Sequence, residues 1–180
     1  MIPACWFLAL LALSPQLQNI LSRIQNYPFA PQPTEHDTLH DTLILQIDPS
    51  LSETLHIVRT QNTLQILHHD SLLVEQHGDT VNLLGSMFHM PATSMDSSFW
   101  QHARLRKEGS LDVVEGTLPG GVRLSLSVDP AGRILRQRVQ FAGGVVETSW
   151  VYDPSTGFVR ELVIRKGNGA TFRVAYRWEE

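Results

Sequence analysis

Between residues 121 and 178 the sequence breaks into five runs, GVRLSLSVD, RILRQRVQF, VVETSWVYD, FVRELVIRK and ATFRVAYRW, separated by PAG, AGG, PSTG and GNG. Short runs rich in Val, Leu, Ile, Phe, Tyr and Trp, each closed by Gly, Pro, Asn or Ser, are the pattern of consecutive antiparallel strands. The gaps leave no room for a crossover helix, so a β-meander follows. Side chains on a strand alternate between its two faces. Val122, Leu124, Leu126 and Val128 therefore share one face, with Arg123, Ser125 and Ser127 on the other. In the last run Phe172, Val174, Tyr176 and Trp178 oppose Thr171, Arg173, Ala175 and Arg177. The middle runs are mixed: Leu135, Val139 and Phe141 travel with Gln137, and Val146, Trp150 and Tyr152 with Thr148. In the fourth, Phe158, Leu162 and Ile164 sit with Arg160 while Val159 and Val163 accompany Glu161, so periodicity leaves its inward face open. A sheet that is greasy on one side has to be covered, by helices, by a second sheet, or in part by an apolar guest.

A second set of strands precedes this one: LILQID (43–48), LHIVRT (55–60), TLQILHH (63–69), SLLVEQH (71–77) and TVNLL (80–84), with short connections that include Gly78-Asp79. The two sets are expected to join into one long curved sheet. Candidate covers are two helices. In 17–27 the residues Leu17, Ile20, Leu21 and Ile24 recur at helical spacing, before Pro28, Pro31 and Pro33 end the pattern. In 96–106 (DSSFWQHARLR), Thr93 or Ser94 is placed to cap a helix with Asp96 in its first turn and Phe99, Trp100 and Ala103 on its apolar side. The preceding MFHMPATSM (87–95) is an adaptable apolar stretch suited to a mouth for varied shapes.

One domain accounts for 180 residues. The first 22 carry no charge, and WFLALLAL at 6–13 is too short to cross a bilayer, which reads as the apolar part of a signal peptide over 1–18. Cys5 lies before that run, so it does not form a lipobox, and removal of the leader leaves a chain without thiols. Residues 1–100 hold two Arg or Lys against nine Asp or Glu, and residues 101–180 hold twelve against nine. No strong basic patch of the kind that nucleic acid requires results, so no nucleic-acid partner is expected.

The sites of ordinary enzymes are missing too. His36 and His40 fall in extended chain, about 13 Å apart, and His68 and His69 are expected on opposite faces of one strand, so no metal site is read. Ser86 and Ser110 lack the glycines of a nucleophile elbow, and PGG at 119–121 lacks the lysine and helix of a phosphate loop. Neither an enzyme nor a cofactor is expected. Arg123, Arg133, Arg136, Arg138, Arg165, Arg173 and Arg177 make the outer face of the late strands basic. That suits a solvated surface that resists edge pairing, or docking to an acidic partner or to anionic lipid head groups.

The order of parts, from ILSRIQNY through LQILHHDSLLVEQHGDTVNLL to LSVDPAGRILRQRVQF, VVETSWVYDPSTGFVRELVIRK and ATFRVAYRW, resembles the LolA-like periplasmic lipoprotein carriers and their lipoprotein-sorting relatives. The resemblance implies a mainly β, α+β fold: an open antiparallel half-barrel, a curved meander sheet whose concave face is covered by short helices, over a single domain at 19–180. It implies a periplasmic, monomeric carrier that shelters acyl chains of lipoproteins or lipids, with inner- or outer-membrane partner proteins. Leu124, Leu126, Val139, Phe141, Trp150, Phe172, Val174, Tyr176 and Trp178 become the implied lining of its apolar groove. Arg59 is the one candidate for a carrier's functional arginine on the strand from Leu55. The alternative is a non-enzymatic envelope-sensing or protein-interaction module on the same scaffold, its sheet plugged by its own helices.

Overall fold

A computed structural model describes residues 13–48, 51–79 and 97–179. Helix α1 (Pro15–Asn26) starts where Ser14 Oγ accepts a hydrogen bond from Leu17 N at 3.3 Å and Pro15 occupies the first turn. Both features suit a helix start, since the orphan amides find a cap and the missing proline N–H costs nothing there. Leu17, Ile20, Leu21 and Ile24 are all buried, as their spacing predicts. Extended backbone at Tyr27, followed by Pro28, ends the helix.

Strands β1 (Leu39–Asp48), β2 (Leu51–Arg59), β3 (Thr63–His68) and β4 (Ser71–His77) form the first meander. Helix α2 (Ser97–His102) leads into the second: β5 (Arg104–Glu108), β6 (Leu111–Leu118), β7 (Val122–Val128), β8 (Ile134–Phe141), β9 (Gly144–Tyr152), β10 (Val159–Lys166) and β11 (Thr171–Arg177). The eleven strands make one sheet in the order β4-β3-β2-β1-β11-β10-β9-β8-β7-β6-β5, with every pairing antiparallel. The two meanders meet through β1 and β11, where Leu43 faces Tyr176 and Leu45 faces Val174. The sheet is open, with β4 and β5 as its edges.

Three expectations change. The helix expected over 96–106 stops at His102, and Arg104–Glu108 is a strand. Its alternation is Arg104 and Arg106 to one side, Leu105 to the other, and β6 was there to pair with it. Leu135 does not share the face of Val139: a bulge between the pairs Ser127–Arg136 and Val128–Ile134 passes the inward place to Ile134. His68 and His69 do not straddle a strand, because β3 ends at His68 and His69 turns away with φ 46°, bringing the two rings within 4.0 Å. The strand expected at 80–84, the caps Thr93 and Ser94, the stretch 87–95 and residues 1–12 lie outside the described residues. Among the described residues no helix is long and apolar enough to cross a membrane.

Candidate functional site: the helix-covered apolar face

Cross-strand register puts one set of side chains on a common face. Leu124 faces Val139 and Val139 faces Val146; Trp150 faces Leu162 and Leu162 faces Val174. A second bulge, at Arg160, lets Val159 join Leu162 and Ile164 on this side. All nine residues implied as groove lining share this parity. Leu124, Leu126, Trp150, Val174 and Tyr176 are buried in a single apolar cluster, and Val139 and Trp178 pack against it. Phe172 is half-buried beneath the ammonium of Lys166, 4.8 Å from its ring centre. Phe141 is not brought in: it stands 43% exposed at the end of the β8–β9 hairpin.

What covers the face is α1 and α2. Leu17, Ile20, Leu21 and Ile24 press down from α1, and Phe99 and Trp100 from α2. The α2 contact depends on Gly116 of β6, where an added Cβ would stand 2.6 Å from the Phe99 ring.

The anchors of α1 gather at its C-terminal end. Arg23 Nη1 donates to the carbonyls of Asp129 (3.1 Å) and Pro130 (2.8 Å), and Nη2 donates to Asp112 Oδ2 at 2.6 Å. The Asp112 carboxylate is pushed up by burial, but the hydrogen bonds from Lys107 and Arg23 outweigh this and hold it below its ordinary range. Gly132 of the β7–β8 turn takes φ +98°, and an added Cβ there would meet the Arg23 carbonyl oxygen at 2.4 Å. Tyr27 donates its hydroxyl to Gly157 O at 2.8 Å and sets its ring edge-on to Tyr152, 5.8 Å away. Phe29 O accepts from Val159 N at 2.8 Å.

Arg59 continues this seam. It is fully buried, paired through Nε with Asp41, and donates from Nη1 to Pro31 O at 2.8 Å. Its guanidinium lies 5.4 Å from the Trp178 ring, which is stacked on Tyr176. Burial pushes the Tyr176 and Tyr152 hydroxyls upward, so both are neutral at any ordinary pH. Arg23 and Asp112 escaped the reading by periodicity. The signal was there: Arg23 is the first charge in the chain and shares a helix turn with Ile20 and Ile24, and Asp112 holds an inward position next to Val114.

Beside α1 lies a hollow of about 620 Å³, bounded by Pro15, Gln16, Asn19, Ile20 and Arg23 of the helix, by Leu105, Arg106 and Lys107 of β5 and by Asp112 of β6. Ile20 and Leu105 form its apolar floor and belong to, or pack on, the main cluster. Among the described residues no three His, Cys, Asp or Glu side chains are grouped to hold a metal ion.

No family model matches the chain, and no curated protein matches it. Solved structures do. A domain from Vibrio parahaemolyticus described as an outer membrane lipoprotein-sorting protein aligns over 91% of both chains with a TM-score of 0.50 and 12% identity. A LolA superfamily protein from Nitrosomonas europaea aligns over 89% of this chain and 91% of its own, with a TM-score of 0.44 and 11% identity. The fold is LolA-like.

Proposed function

We propose that this chain is a periplasmic, non-enzymatic carrier that shelters acyl chains of a lipoprotein or lipid on the apolar face of its sheet. The observation that carries this reading is the hollow between α1 and β5, floored by Ile20 and Leu105. It runs along α1 from Pro15 to Arg23, with the Arg23–Asp112 pair closing its far end and Ile20 and Leu105 joining it to the apolar cluster. A guest enters there as the first turns of α1 lift about the anchored end. Exposing Ile20 and Leu21, which stay on the mature helix, costs about 1.5–3 kcal/mol each. A long acyl chain regains about 0.8 kcal/mol for every methylene buried, so about eight methylenes offset the lifted helix.

Residues 1–18 serve in this reading as a removable leader, and residues 19–180 as the single carrier domain. Removal of the leader takes Pro15 and Gln16 from the wall of the hollow and Leu17 from the apolar cluster. The implied lining from Leu124 to Trp178 then acts as a continuous oily wall, and partner proteins at the inner or outer membrane load and unload a monomer.

Purification from an expressing cell, solvent extraction and mass spectrometry of the extract test the idea. Copurifying acyl species in near-stoichiometric amount support it; a lipid-free protein that also takes up no added lipid removes it. Sequencing the mature N-terminus reads the cut.

A second reading has its own support. All six apolar side chains of α1 and α2 that face the sheet are buried, so the helices fill this face as they stand. An envelope-sensing or protein-interaction module with a permanent plug would look the same. Protection of the α1 amides from exchange, unchanged in excess lipid, would favour it.

A further inference from the structure

Another hollow lies on the opposite side of the sheet from α1, with His102 at the end of α2 on its rim. It measures about 710 Å³ and is lined almost wholly by polar side chains of β5 to β9. Its shape follows from the sequence of β7. Ser125 and Ser127 are short and form a floor, while the long side chains of Arg104 and Arg106 on β5 and Arg136 and Arg138 on β8 stand to either side. Strands lie about 4.8 Å apart, so the two walls are separated by about 14 Å.

The charges in this trough are unequal. Arg106 is occupied by Glu115 and Glu108, each at 3.1 Å, and Arg136 stands 3.9 Å from Glu147. Arg104, Arg123 and Arg138, which also line it, have no ion pair among the described residues. Arg123 faces Gln140 and Arg138 faces Ser125, which makes the two arginines diagonal neighbours about 7–8 Å apart at Cα. Arg136 is two residues from Arg138 on the same side. Arg123 on β7 thus stands close to Arg136 and Arg138 on β8, with Glu147 on β9 opposite Arg138 and Glu115 on β6, already held by Arg106, diagonal to Arg123 as the neighbouring carboxylates. Like charges so placed repel, and an anion bridging them removes that repulsion while gaining forked, charge-assisted hydrogen bonds.

We infer that this trough binds a discrete ligand carrying at least two phosphate groups on a hydroxyl-rich frame, the chemistry of a phosphorylated sugar, free or as a lipid head group. The arginines take the phosphates, and Ser125, Ser127, Thr117 and Gln140 offer partners for hydroxyls. The volume is that of an ordinary small-molecule site and far exceeds one phosphate ion. A recessed floor between standing side chains suits a ligand that enters it better than a flat bilayer that would touch only the rims.

Calorimetric titration of the purified chain with glucose 1,6-bisphosphate tests this, with glucose, inorganic phosphate and phosphatidylglycerol vesicles alongside. The expected result is saturable binding of the bisphosphate that weakens as salt is raised, weaker binding of inorganic phosphate and none of glucose. The double variant Arg123→Gln/Arg138→Gln, shown folded by its thermal melt, should bind at least about tenfold more weakly. Ser125→Glu, which places a carboxylate on the floor, should bind more weakly as well. Arg177→Gln, on β11 outside the trough, should bind as the parent does. No binding of the bisphosphate, binding equal to that of inorganic phosphate, binding untouched by the double variant, or binding to vesicles alone would each overturn the inference.

Discussion

Among the described residues Arg59 is the one guanidinium with no exposed surface, set in a mainly apolar interior whose other buried charges are Asp41, Asp112 and Asp129. Burying a charge is tolerated only with a partner and further hydrogen bonds. Asp41 supplies the first and Pro31 O the second. Arg59→Leu would strand the Asp41 carboxylate and lower stability by about 3–5 kcal/mol in urea unfolding. Arg59→Leu/Asp41→Leu should recover most of that loss, because the orphaned charge is gone. Gly132 is constrained in a different way, by the closeness of α1. Gly132→Ala adds a Cβ in a left-handed conformation and against the Arg23 carbonyl, and should cost about 1–3 kcal/mol with faster hydrogen exchange in α1. None of this was legible in the sequence beyond the suspicion attached to Arg59, since burial of a single polar residue depends on which strands come to lie beside it.

At the scale of elements, α1 is a cover held at one end. Its C-terminal turn is fixed by Arg23 and Asp112, and the segment beyond it by Tyr27 and Phe29, while its first turns border the hollow. The Asp112 carboxylate has a folded pKa below its unfolded value of about 3.9. Its contribution is therefore complete above that unfolded value and is lost as pH falls through the lower folded value. Hydrogen exchange of α1 should accelerate below about pH 4, and Asp112→Asn should exchange fast at neutral pH already, with no comparable acid step. The sequence announced α1 because four apolar residues at helical spacing have few other uses. It hid β5, because RLRKE has one apolar residue and a run of cations that suits an exposed edge strand and a helix end alike. It blurred β8 and β10 for another reason: each contains a bulge, at Leu135 and at Arg160, and one extra residue reverses the parity on which face assignment rests.

At the scale of the whole molecule, the two meanders are held as one sheet by pairing of an early strand with the last, β1 with β11. That joint was anticipated only in outline, because nothing local in either strand names a partner far away in sequence. The apolar face was read correctly from strand alternation in β7 and β11, and so was its cover by two short helices, although α2 is half the length expected. The result is an open sheet with a broad oily side and two short helices over it, and the proposed carrier role requires that a modest shift of α1 exchange protein side chains for hydrocarbon. The most direct test is titration of the chain with a fluorescent fatty acid, followed by displacement with a palmitoylated peptide, in the parent and in Leu105→Glu. One saturable site, full displacement and at least about tenfold weaker uptake in the variant are predicted; absence of saturable uptake, or uptake indifferent to the charge at position 105, would contradict a carrier.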